Sequence, residues 1–401
     1  MLDFALITHF ETWDRAAAAV SLLRGPDRPP LSIEDVRDIL PWIPPRVSSR
    51  VTVGSSEGHR VHGVCIESFI PPGRLDRRFL RENLARVRDA AQVAIREGAR
   101  IVTLGGFSSI LIEGKTDLLP SHPGTAFTTG NTLTVALIVR GIERALALAG
   151  RDLAESSVLI VGASGDVGSG CARCLAPRVK RLFLSARNPD RLRKLAAEFP
   201  SPGNSVVWAS SAEPAKSSEA SRASAKPLST NQSSLVPASS LETTRLSPQA
   251  DLVICVASLP ASDVLLGSLF QGDALSQGDA LSQGAIICDA GYPRNLSPHF
   301  VPRNGAIFYG GLGRASGGIK LDPDLLGIIY PYSLSNIAHG CLLEGILLAM
   351  EQRFEPFSQG RGLITPQRVE EIWRIAQKHG IGLAPLLNRE GPAEASITRL
   401  A

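Results

Sequence analysis

The residues best placed to do chemistry lie in one stretch, SVLIVGASGDVGSGCARCLAPRVKRLFLSARN at 157–188. Apolar Val158 to Val161 run into Gly162, Gly165 and Gly168; a helix-length segment follows, and a second apolar run begins at Leu182. The pattern reads as strand, glycine turn, helix, strand. Glycines permit the tight turn and let the backbone approach a pyrophosphate, while the unpaired N–H groups opening the next helix point at the phosphates. The spacing is GxxGxxG rather than GxGxxG, so the strand and helix around it carry the reading more than the triplet does. The expected dinucleotide contacts are Gly162, Ser164, Gly165, Asp166, Val167 and Gly168.

The second strand ends at Arg187 and Asn188. A nucleotide without a ribose phosphate usually meets a carboxylate about 20 residues past the glycines. A guanidinium instead matches a phosphate bidentately, so NADPH is expected over NADH, with Arg187 and Asn188 at the 2′-phosphate. The competing reading is a solvated arginine at a strand end. Candidate nucleophiles are six cysteines, at 65, 171, 174, 255, 288 and 341, scattered through apolar segments as reduced thiols are. Cys171 and Cys174 share a helix without a second ligand pair, so no metal is expected there. Residue types and spacing do not choose among the six.

Three further strands are expected beside the glycine turn, each ending in a small-residue loop: Leu252 to Val256, Ala285 to Cys288 and Ile307 to Tyr309. In open α/β sheets such carboxyl ends line the ligand crevice, which puts Ala257, Ser258, Gly291 and Tyr292 at the cofactor. Upstream, alternating residues from Arg50 to Ile66 form a hairpin, and a basic amphipathic helix runs from Leu75 to Gly98 with Arg77, Arg78, Arg81 and Arg88 opposite its apolar side. Such a face suits an acidic carrier protein or simply solvent. A strand at Ile101 to Leu104 opens into a Gly/Ser loop and continues at Ile110 to Ile112; Thr128 to Thr132 then cap a helix from Leu133 to Leu148. Gly105, Phe107, Ser108, Thr129, Asn131 and Thr132 are the expected substrate contacts, although turn and cap chemistry alone also produces such loops.

Near the end, Ser335 is expected to cap a helix from Asn336 to about Phe354, with Ile337, Cys341, Glu344, Gly345 and Leu348 on one stripe. On that helix Cys341 lies beyond the first turn, His339 points to another face, and Gly345 leaves room for a bulky ligand. Residues 209–249 are dominated by Ser, Ala, Pro and Thr and are expected to be a disordered insertion. The fold class is α/β: an N-terminal α/β substrate domain (1–155), a Rossmann-like NADP-binding domain (156–320), and C-terminal helices (321–401).

With 401 residues, 44% of them apolar, the chain is long enough for two cores, and a net charge of +4 without basic–aromatic clustering argues against nucleic acid. No apolar run approaches the roughly 20 residues of a membrane span, and the N-terminus lacks a signal-peptide pattern, so the cytoplasm is the default location.

Several motifs together resemble the long-chain acyl-(acyl-carrier-protein) reductases, the aldehyde-forming enzymes of bacterial alkane synthesis. They are HGVCIES at 62–68, LGGFSSI at 104–110, FTTGNTLT at 127–134, VGASGDVGS at 161–169, ARN at 186–188, VASLP at 256–260, DAGYPRNL at 289–296 and GCLLEGILLAME at 340–351. Leu133 and LGRASGG at 312–318 depart from the family pattern. The resemblance implies NADPH-dependent reduction of a fatty acyl thioester to an aldehyde through an acyl-enzyme on Cys341. It also implies acyl carrier protein as the donor and an aldehyde-deformylating oxygenase as a further partner. Two other readings stay open: a shikimate- or methylene-folate-type NADP dehydrogenase, which needs a substrate-facing lysine where only Lys115 is on offer before residue 156, and a non-catalytic NADP-binding protein.

Overall fold

The computed structural model describes residues 2–75, 77–113, 115–199, 205–210, 237–238, 250–256, 284–291, 294–296, 304–358 and 364–401. The first sheet takes β1 (Leu2–Thr8), β2 (Arg46–Gly54), β3 (Arg60–Glu67), β4 (Ala99–Leu104) and β5 (Ala126–Thr128), plus an outer strand, Ile319–Asp322, from far along the chain. β1, β3, β4 and β5 run parallel, and β2 and β3 form the antiparallel hairpin that the alternation predicts. The helices of this part are α1 (Trp13–Leu23), α2 (Ile33–Ile39), α3 (Leu80–Arg96) and α4 (Phe107–Ile112). α3 buries Val87, Ala90, Ala91 and Ala94 against the sheet and leaves Arg81 and Arg88 exposed. One strand carries no sequence signal, and one expectation fails. Leu2–Thr8 is a central strand that no alternation marks, because both its faces are covered. Ile110 to Ile112 does not extend β4: Gly106, at φ 53, turns the chain into α4.

The long helix α5 (Asn131–Leu148) leads to the second sheet, formed by β6 (Ser157–Val161), β7 (Arg181–Ala186), β8 (Ser205–Ser210), β9 (Pro237–Ala238), β10 (Leu252–Cys255), β11 (Ile286–Asp289) and β12 (Ala306–Tyr309). All pair in parallel in the order β12-β11-β10-β6-β7-β8-β9, which makes this a Rossmann-like doubly wound sheet whose order reverses between β10 and β6. Its centre is dry: Val158 to Val161 and Leu252 to Cys255 are all fully buried. α6 (Asp166–Leu175) and α7 (Pro189–Ala196) follow the first two strands. Of the expected insertion 209–249, Ala209 and Ser210 end β8 and Pro237–Ala238 is β9; the remainder lies outside the described residues.

The last part departs most from expectation. β13 (Leu312–Ala315) starts a small antiparallel sheet, the outer strand of the first sheet is β14, and β15 (Ile337–His339) and β16 (Ile381–Leu383) flank β13. The short α8 (Leu326–Ile329) precedes β15; α9 (Gly340–Met350) and α10 (Pro366–Lys378) follow it. The expected helix from Asn336 is therefore shorter. Asn336 adopts φ 62 and Ile337–His339 pairs with β13, a non-local contact that overrides helical spacing. α9 is apolar on nearly every side because it is sandwiched between the first sheet and α5.

Candidate active site

A cleft of about 110 Å³ opens where the second sheet reverses its order, the position ligands take in open α/β sheets. Its floor is built from the loops at the carboxyl ends of four strands: Gly165, Asp166 and Val167 after β6, Val256 after β10, Ala290 and Gly291 after β11, Gly310 and Gly311 after β12. The opposite wall is Ser109 and Ile110 of α4 with Gly106 and Glu113 at its two ends, Asn131 and Thr134 of α5, and His339 with Cys341 at the start of α9.

Each wall has a local cause. In the glycine turn Gly162 adopts φ 87, and the N–H groups of Gly162 and Ala163 both donate to the Ser185 carbonyl, at 2.8 and 3.0 Å. A Cβ on Gly168 would stand 2.4 Å from the Gly162 oxygen, so helix and turn close only with glycine there. The 289–296 loop is drawn together by buried Asp289, whose carboxylate accepts from the N–H groups of Gly291, Asn295 and Leu296. Burial pushes the Asp289 carboxyl up, opposed by Arg294 and those donors.

The start of α9 is fixed to the start of α5. Gly130, at φ 71, abuts the Cys341 backbone, and Gly340 abuts Thr134. Behind them, buried Glu344 accepts from the Thr128 hydroxyl (2.7 Å), the Leu133 N–H (3.0 Å) and the Ser358 hydroxyl (2.9 Å). The Ser358 hydroxyl in turn accepts from the Thr132 N–H at 2.9 Å, and Thr129 N–H donates to the Ser358 carbonyl at 2.7 Å. Burial pushes the Glu344 carboxyl up, partly offset by these donors.

Cys341 is the second residue of α9, so its thiol lies in the first turn, where the helix dipole favours a thiolate. That corrects the expectation of a thiol beyond the dipole's reach. Burial pushes the thiol above its ordinary value, while the N–H groups of Gly106 and Leu342 pull it down. The other five cysteines are buried; Cys341 alone is partly exposed. Its neighbour His339 lines the same cleft and does not point away from it, because it ends a strand rather than lying within a helix. His339 Nε2 meets the Tyr332 hydroxyl at 2.9 Å, and Arg294 donates to that hydroxyl at 2.8 Å and to the Asp289 carbonyl at 2.9 Å. Burial, then the charges of Arg294 and Arg15, lower His339 to about 3, so it stays neutral. The room expected above Gly345 is filled: a Cβ there would lie 2.0 Å from Thr103 Oγ1.

Of the sequence-predicted contacts, Gly165, Asp166, Val167, Gly291, Asn131 and Cys341 line the cleft. Gly162, Ser164 and Gly168 shape the turn behind it, and Arg187 is exposed at the end of β7. Asn188 caps α7, its side-chain oxygen accepting from Arg191 N–H at 2.9 Å. Gly105, Phe107 and Ser108 are buried behind Gly106, and Thr129 and Thr132 lie in the Glu344 network. Ala257, Ser258 and Tyr292 lie outside the described residues. Sequence reasoning missed Arg294 and His339 as site residues, though one sits inside GYPRNL and the other directly precedes GCLLEG.

No family model matches the chain. A long-chain acyl-(acyl-carrier-protein) reductase from Synechococcus elongatus is 29% identical over 345 residues, spanning 84% of this chain and 87% of that protein. Aminotransferase PigE from a Serratia species is 25% identical over 304 residues, 75% of this chain and 30% of that protein. Among solved structures, L-tryptophan dehydrogenase from Nostoc punctiforme covers 99% of this chain and 84% of its own, at 13% identity and a TM-score of 0.35. That score adds nothing to the strand order already described. The match to the Synechococcus protein bears out the resemblance carried by the motifs: over most of its length this chain is similar to a long-chain acyl-(acyl-carrier-protein) reductase.

Proposed function

We propose that this chain is an NADPH-dependent oxidoreductase that reduces a long-chain fatty acyl thioester, delivered by acyl carrier protein, to a fatty aldehyde through a thioester on Cys341. The observation that carries the reading is the meeting of two chemistries in one cleft: the partly exposed cysteine and the glycine turn of the doubly wound sheet line the same space. The similarity to a reductase named for acyl carrier protein supplies the substrate class.

The residues fit a dinucleotide. The turn closes on Gly168 too tightly for a Cβ there, and α6 begins at the cleft, so its N-terminus faces the space a pyrophosphate would take. Arg187, exposed at the end of β7, suits a 2′-phosphate. Bound there, the dinucleotide would supply a hydride, which releases the Cys341 acyl group as aldehyde and returns the thiolate. The chain's own part comes first. The thiolate forms under the Gly106 and Leu342 N–H groups, attacks the thioester carbonyl and takes the acyl group as the carrier thiol leaves with a proton. Neutral His339, held by Tyr332 and Arg294, has a proton-accepting or donating nitrogen at the cleft according to its tautomer.

The basic face of α3 is the docking surface for the acidic carrier, and an aldehyde-deformylating oxygenase is the class of protein that would take the product. Lys115 is exposed and is not among the residues lining the cleft, which speaks against a shikimate-type site. The deciding experiment is intact-mass measurement after incubation with a long-chain acyl thioester and no NADPH. Wild type gains one acyl mass and Cys341→Ala none; no gain in wild type, or a gain in Cys341→Ala, overturns the acyl-enzyme.

A further inference from the structure

Outside the lining of the cleft, the turn of the β2–β3 hairpin meets the end of α10. Ser56 N–H donates to the His379 carbonyl at 3.1 Å and its hydroxyl to the Lys378 carbonyl at 3.2 Å, so backbone contacts fix the two segments against each other. This junction brings together Glu57, His59 and His379, whose ligand-type atoms all lie within 4.8 Å of one another, the one such group among the described residues. Glu57 Oε2 is 4.0 Å from His59 Nδ1 and 3.9 Å from His379 Nδ1.

We propose that Glu57, His59 and His379 form a binding site for a divalent first-row metal ion of the zinc class. The argument rests on the environment of His379. Its side chain is 1% exposed, and its Nε2 lies 2.5 Å from Glu351 Oε1. A carboxylate on one ring nitrogen holds the proton there and leaves the other nitrogen as a lone-pair donor, the arrangement that orients histidine ligands in metal sites. The other nitrogen, Nδ1, is turned toward Glu57. In the present arrangement the Ser55 hydroxyl meets Nδ1 at 3.0 Å; the same hydroxyl accepts from the Glu57 N–H, also at 3.0 Å.

Geometry and chemistry both favour zinc over magnesium. Ligand bonds of about 2.0–2.2 Å in a tetrahedral shell place ligand atoms roughly 3.3–3.6 Å apart. The observed separations, none above 4.8 Å, need to close by about 1.5 Å at most. Two of the three ligands can make that move freely, since the Glu57 and His59 side chains are 42% and 61% exposed. Two imidazoles with one carboxylate suit zinc, nickel or copper, whereas magnesium asks for oxygen ligands. Three protein ligands leave the fourth position to water. An ion here would join the hairpin of the first sheet to α10, and by mass action would stabilise the folded chain.

The test uses the full-length chain stripped of metal, titrated separately with cobalt(II) and zinc(II). Cobalt is expected to give visible ligand-field absorption and zinc to raise the melting temperature. His59→Ala and Glu57→Gln, both at exposed side chains, should abolish the cobalt band and weaken zinc at least about tenfold. Glu351→Gln should keep the three ligands yet weaken zinc by about 10–100-fold. His62→Ala, an exposed histidine on the same hairpin, should change neither. Absence of the cobalt band in wild type, or the same zinc affinity in His59→Ala as in wild type, overturns the site.

Discussion

Gly130 and Cys341 touch backbone to backbone: a Cβ on Gly130 would stand 2.3 Å from the Cys341 Cα. Gly130 also adopts φ 71, a region other L-residues enter at a cost. Gly130→Ala combines both penalties. It should destabilise the chain by about 1–3 kcal/mol and slow acylation of Cys341, while NADPH affinity changes little because the glycine turn is built elsewhere. Denaturant unfolding, acyl-mass uptake and nucleotide titration measure the three separately. Unchanged stability would show that the two helix starts can part without loss.

Nucleotide preference should reside in Arg187. Loss of one charge-assisted phosphate contact costs about 1.5–3 kcal/mol, or roughly ten- to a hundredfold in affinity. Arg187→Ala is expected to weaken NADPH by that factor and leave NADH nearly untouched. Equal affinity of the wild type for both nucleotides removes the assignment.

Buried Glu67 gives a pH signature. Burial raises its carboxyl to about 8, against 4.5 ordinarily, opposed by the hydroxyl of Thr8 and by backbone N–H groups. The folded chain then holds a proton that the unfolded chain has released. Its contribution to stability is full below about 4.5 and is lost as pH rises toward about 8. Wild type should lose melting temperature across that window, and Glu67→Gln, which cannot ionise, should lose less. Parallel curves for the two proteins would mean Glu67 is ionised throughout.

Carrier docking is tested on α3, where Arg81 and Arg88 are exposed. The double charge reversal Arg81→Glu, Arg88→Glu should raise KM for acyl-carrier-protein several-fold, an effect that fades with salt, and leave acyl-CoA turnover nearly as it was. Equal losses on both substrates would move docking to another face.

The glycine turn was legible because its signal is local: strand, turn and helix follow one another without help from elsewhere. The start of α5 after Gly130 was legible for the same reason. The start of α9 was not. Ser335 and the spacing of Ile337, Cys341 and Leu348 agree on a longer helix, and only the pairing of Ile337–His339 with Leu312–Arg314 removes its first turn. That one shift moved Cys341 into the first turn and turned His339 from a bystander into a cleft residue. Glu344 shows the same limit. An acid on an apolar helix reads as a stripe member, whereas its partners Thr128, Leu133 and Ser358 come from other segments.

The late arrival of β14 fixes an order of events during synthesis. Ile319 lies beside Val53 in the first sheet, and the helix carrying Cys341 packs beneath that sheet. At about 5–20 residues per second, a ribosome needs roughly 13–53 s to pass from residue 53 to residue 319. Through that interval the β2 edge stands unpaired and the sheet's inner face waits for its cover, while the second sheet is being made. Until then the nascent N-terminal half carries an open sheet edge of the kind that invites wrong pairing, and Cys341 reaches its place only once both halves exist.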